Sequence, residues 1–70
     1  MRRRTVEIGQ RYRQADASWL VWEVVELFQD SRGHPHAHIQ AARNLGETRA
    51  IACAVLQDPK RYLLLRDEDG

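Results

Sequence analysis

The sequence predicts a mainly β domain, a small five-stranded antiparallel barrel, on three observations. Residues 19–28 read Trp-Leu-Val-Trp-Glu-Val-Val-Glu-Leu-Phe and hold both tryptophans and the only phenylalanine of the 70-residue chain. Such aromatic and β-branched side chains fit a pleated, half-buried surface better than a helix. Elsewhere apolar and polar residues alternate over short runs, which is the period of a strand. Clusters of Gly, Pro, Asn and Asp punctuate those runs where tight turns are needed. Each buried ring of the aromatic window removes about 150–250 Å² from water, an upper bound of about 4–6 kcal/mol.

The first strand is read from Val6, Ile8 and Tyr12, which share parity across Gly9 and line one face. Residues 14–18, Gln-Ala-Asp-Ala-Ser, form a hairpin loop, and the aromatic strand follows over 19–29. Its apolar pattern changes phase: Leu20, Trp22 and Val24 share one face, then Val25 and Leu27 take over. A β-bulge near Val24 and Val25 accounts for the change and bends the strand. Asp30-Ser31-Arg32-Gly33-His34-Pro35 is the strongest turn signal in the chain. After it, Ala37, Ile39 and Ala41 alternate with His36, His38 and Gln40 in a half-exposed third strand. Asn44-Leu45-Gly46-Glu47 makes the next turn, and residues 49–55 alternate again with Ile51, Cys53 and Val55 on one side. Gln57-Asp58-Pro59-Lys60 ends that strand, and Tyr62-Leu63-Leu64-Leu65 is the fifth. The alternative is an α+β domain with a small sheet and one or two helices. Pro35 suits a first helical position, Gly46 a C-terminal cap, and residues 37–45 and 50–56 contain good helix formers.

Seventy residues make one domain with one core, here residues 1–70 with a basic arm (1–4) and an acidic tail (67–70). A domain of this size buries only about 60% of its unfolded surface, so its stability is marginal. Cys53 is the single cysteine, which excludes an intrachain disulfide and favours a reducing compartment. The longest uninterrupted apolar run, residues 50–56, is seven long. A spanning helix needs about 20. Arg2, Arg3 and Arg4 are followed by no apolar stretch of the kind a signal peptide requires. A cytoplasmic protein, without membrane contact, is expected. The formal net charge of +1 gives no global pull towards nucleic acid or membrane. Ten arginines against one lysine suit a GC-rich bacterial genome.

Five short strands, a bent second strand and a tight turn before the last suggest a Src-homology-3-like barrel, in which the first and last strands pair antiparallel. That pairing brings Arg2, Arg3 and Arg4 towards Asp67, Glu68 and Asp69. The order Gly9, Tyr12, Trp22-Glu23-Val24, Pro35-His36-Ala37, then Leu56, Asp58-Pro59 and Tyr62 resembles small bacterial proteins with such a barrel. The resemblance spans most of the chain, and its motifs are short and apolar. It implies a fold and no catalytic residues.

Three groups of residues are candidates for catalytic or metal chemistry. His34, His36 and His38 recur at every second position, and two histidines spaced so on a strand can share a metal ion. Pro35 takes His34 out of that row, and no carboxylate or cysteine within a few residues completes a tetrahedral set. His36 and His38 are therefore an incomplete ligand pair, read as outward-facing polar residues, and no cofactor is expected. Cys53 lies in Ala-Ile-Ala-Cys-Ala-Val-Leu, an apolar setting unlike that of reactive thiols. Glu23 and Glu26 are the carboxylates of the aromatic segment; a general acid is conceivable there, but a solvated strand face is the plainer reading. With no phosphate loop or nucleophile elbow, an enzyme is not expected.

Arg11-Tyr12-Arg13 is the nucleic-acid candidate, since arginine contacts phosphate and tyrosine stacks on a base. Alternation offers a competing reading, with Tyr12 inward and its arginines outside. Trp19 has the opposite parity to Trp22, so with Val21 it falls on the outer face, an apolar patch of the kind that marks a partner surface. The leading expectation is a non-enzymatic interaction module that contacts another protein or a second copy of itself through Trp19 and Val21. The alternative is a small barrel that binds RNA or DNA through its arginine-rich first strand.

Overall fold

The computed structural model describes residues 5–65. The basic arm and the acidic tail, with the approach expected between them, lie outside the described residues. Five strands, β1 (Arg11–Gln14), β2 (Ala17–Gln29), β3 (Pro35–Ala41), β4 (Thr48–Ala52) and β5 (Tyr62–Leu65), form one sheet in the order β4-β3-β2-β1-β5. Every neighbouring pair is antiparallel. A single helical turn, α1 (Cys53–Leu56), joins β4 to β5. The domain is thus mainly β. Among the described residues β4 and β5 are the two edges, and no backbone ladder closes the sheet between them.

The long second strand organises the rest. Its first half pairs with β1 and its second with β3, and the register shifts between Val24 and Glu26. Val25 is the extra residue, at the place where the apolar phase breaks in the sequence. It does not take over the inner face, as alternation suggested; the bulge leaves it exposed. Leu27 does return to the inner side, opposite Ala37, but at the margin of the sheet.

The expectations for the first strand and its hairpin need correction. Residues 5–8 are not strand, and Val6 and Ile8 do not share a face: Val6 is buried and Ile8 is 64% exposed. Gly9 sits at φ +95°, a backbone setting that costs other residues strain. Its amide donates to the Val24 carbonyl at 2.8 Å, while the Gln10 amide turns back to the Glu7 carbonyl at 3.2 Å. That turn resets the side-chain parity before Tyr12. The hairpin is also tighter than five residues, with Gln14 already opposite Ala17. The next ladder pair is Arg13 with Val21, so Ser18, Trp19 and Leu20 lack partners on β1.

The fourth strand stops at Ala52 rather than running to Val55. From Cys53 the chain coils for one turn, closed by the Gln57 amide donating to the Cys53 carbonyl at 3.0 Å. A turn of helix places residues three apart on one side. Cys53 and Leu56 are accordingly both buried, where a strand would have turned Leu56 away from Cys53. The helix considered over 37–45 is absent, since most of that stretch is β3.

Trp22, Val24, Ile39 and Leu56 are fully enclosed at the centre of the core. The Trp22 indole N–H donates to Gln14 Oε1 at 3.2 Å, which spares the ring an unsatisfied donor. The Arg49 guanidinium lies 4.6 Å from the Trp22 ring centroid. Arg49 stands opposite Ile39, on the inner side of an edge strand. A charge pointing inward from an edge covers the open flank of the core and also discourages indiscriminate strand pairing there.

Candidate functional site

The sheet's alternation sends the other half of its residues outward, and the register assembles them into rows. Val21 on β2, Arg13 on β1 and Leu63 on β5 stand side by side. Glu23, Arg11 and Leu65 form the next row. Arg11 Nε lies 3.8 Å from Glu23 Oε1, a solvated pair of small energetic weight. Arg13 makes no ion pair with any described residue. Trp19 precedes Val21 in the unpaired stretch at the hairpin tip and is 66% exposed, whereas Trp22 is 0% exposed. Val21 is half-buried and Leu63 exposed. The result is an apolar strip with an arginine set into it.

A groove of 670 Å³ continues this surface around the edge at β5. Leu63 lines it from the outer face, and Tyr62, Leu64, Leu56 and Pro59 line it from the core side. The edge backbone is available as well. The Ala15 amide donates to the Arg61 carbonyl at 2.8 Å, which fixes Arg61, Leu63 and Leu65 as the residues whose peptide groups face β1. Leu64 therefore directs its N–H and C=O away from β1, towards the open edge. Sequence reading missed Leu63 and this edge. Alternation from Tyr62 puts Leu63 outward, but its place beside Arg13 depends on the β1–β5 register, which no local pattern encodes.

The remaining candidates fall elsewhere. Tyr12 is buried, and its hydroxyl donates to Gln10 Oε1 at 3.0 Å. Only the two arginines of Arg11-Tyr12-Arg13 face out, so that stretch offers no ring for a base to stack on. His36 and His38 project from the outer face of β3 as alternation required. His38 Nδ1 lies 2.7 Å from Glu26 Oε1, and the Phe28 ring stacks on His38 with centroids 4.6 Å apart. His36 Nδ1 lies 3.0 Å from the His34 carbonyl oxygen. Among the described residues no group of three His, Cys, Asp or Glu side chains is arranged to hold a metal ion. His34 leaves the strand for the turn, 3.6 Å from Asp30 Oδ2. The Asp30 carboxyl caps that turn by accepting the Arg32 and His34 amides, each at 2.9 Å. The His34 amide is the chief cause holding the Asp30 pKa below the ordinary 3.8.

Cys53 is buried, and desolvation pushes its thiol pKa above the ordinary 9.0, away from the nucleophilic thiolate. Glu23 and Glu26 lie on the outer face, paired with Arg11 and His38. No helix among the described residues is long and apolar enough to cross a membrane. A scan against protein-family models finds no match, and neither do searches of the curated proteins and of the solved structures.

Proposed function

We propose that the protein is a non-enzymatic, cytoplasmic interaction module that contacts another protein through the face centred on Trp19 and Val21. One observation carries the reading: a tryptophan 66% exposed beside an apolar row, in a chain whose other tryptophan is wholly enclosed. Large aromatic side chains supply much of the binding energy at protein interfaces, and a small domain gains stability by covering such a patch. A second copy of the chain is one partner this reading admits. The scaffold is proposed to be a Src-homology-3-like barrel. In favour are the β4-β3-β2-β1-β5 order, the bulge in a long second strand, and the helical turn between the last two strands.

A photo-reactive residue placed at Leu63, with Ser31 in the distal turn as the control position, tests the contact. Light-induced adducts are expected from position 63 and not from 31, and Trp19→Ser is expected to abolish them without changing the melting midpoint. An adduct of twice the chain's mass would identify a homodimer. Equal labelling from both positions, or labelling indifferent to Trp19→Ser, overturns the proposal. Adducts formed with nucleic acid instead would favour the alternative carried by Arg11 and Arg13.

A further inference from the structure

Resting on the contact reading above, we infer that the edge at β5 receives an extended, acidic and apolar segment of a partner protein, which adds to the sheet as a further strand. Three features converge on that occupant. Leu64 presents an N–H and a C=O to an edge that no described strand covers, which is the requirement for strand addition. The 670 Å³ groove along the edge presents Pro59, Leu64 and Gln57 over the buried Leu56 and Tyr62, so alternate side chains of an added strand meet a partly apolar wall. The side chains between them point to the outer face, where Leu63 and then Arg13 stand in line.

The charge preference comes from Arg13. It has no ion pair among the described residues, and the one carboxylate in the neighbouring row, Glu23, is 3.8 Å from Arg11. Strands lie about 4.8 Å apart, so an added strand stands about 10 Å from β1. An arginine and a glutamate together span that distance across Leu63. A basic segment would meet two arginines and one glutamate on this face. A symmetric self-contact centred on the strip would set Arg13 against its own copy. An acidic partner avoids both penalties.

The probe is a short synthetic peptide alternating leucine and glutamate, titrated into the full chain and followed by backbone amide resonances. Three comparators accompany it: the same peptide with lysine for glutamate, the same peptide N-methylated at alternate amides, and a single-stranded oligonucleotide. The acidic peptide is expected to bind, to slow hydrogen exchange at the Leu64 amide, and to weaken as salt is raised. The lysine and N-methylated peptides are expected not to bind. Arg13→Gln is expected to weaken the acidic peptide about tenfold, the loss of one charge-assisted contact. Its unchanged melting midpoint would show that the fold is intact. No binding of the acidic peptide, equal binding of either comparator peptide, or displacement of the acidic peptide by the oligonucleotide overturns the inference. Adducts from Leu63 without binding of the acidic peptide would leave the contact reading standing and remove this one.

Discussion

Trp22→Ala is expected to destabilise the domain by about 3–5 kcal/mol, a large part of what so small a domain possesses. The ring is 0% exposed and lies between Tyr12 on β1 and Ala41 on β3 in the ladder, so its removal opens a cavity at the meeting point of three strands. The loss is not only of volume. Gln14 Oε1 loses the indole N–H it accepts from, and Arg49 loses the ring beneath its guanidinium. Denaturant unfolding monitored by far-ultraviolet circular dichroism would show the change. A midpoint close to that of the parent chain would refute the assignment of Trp22 to the core.

The second large effect is expected at the helical turn. Leu56→Ala removes a side chain that is 0% exposed, at a cost of about 2–5 kcal/mol. Val55 packs against the core only in part, and Val55→Ala is expected to cost distinctly less. The contrast separates the turn from the strand that alternation predicts over the same residues. With Ile51, Cys53 and Val55 on one inner face, Val55 would be the costlier truncation. Equal or reversed losses in the two variants would argue for the strand.

Much of the architecture is legible in the residues because it rests on local pattern. The inner face of β3 follows from Ala37, Ile39 and Ala41 at alternate positions, and β5 begins and ends where the apolar run does. The bulge is legible too, because an extra residue leaves a phase break between Val24 and Val25. What fails is alternation carried across a residue that resets it. Around Gly9, in a left-handed turn, the parity that Val6, Ile8 and Tyr12 share in the sequence is lost, leaving Val6 and Tyr12 buried and Ile8 exposed. Cys53 starts a helical turn because burying Cys53 and Leu56 together outweighs a period-two pattern that alanines on the other side do little to enforce. The outward placement of Trp19 was readable by parity from Trp22. The antiparallel pairing of the first and last strands was expected and is present, but the groove and the row through Arg13 and Leu63 depend on its register, which no local pattern encodes.

The two tryptophans stand in opposite settings, Trp22 enclosed in the core and Trp19 66% exposed on the outer face. Hydrogen exchange at their indole N–H groups, followed by magnetic resonance in a dilute solution of the isolated chain, tests that division most directly. The Trp22 indole is hydrogen-bonded to Gln14 and fully enclosed, and its signal is expected to persist after transfer to deuterated water until the domain opens. The Trp19 indole is expected to exchange at once and to become protected only when a partner is bound. Equal protection of both indoles in the dilute, isolated chain would contradict the account, because Trp19 would then belong to the core and leave no contact face to present.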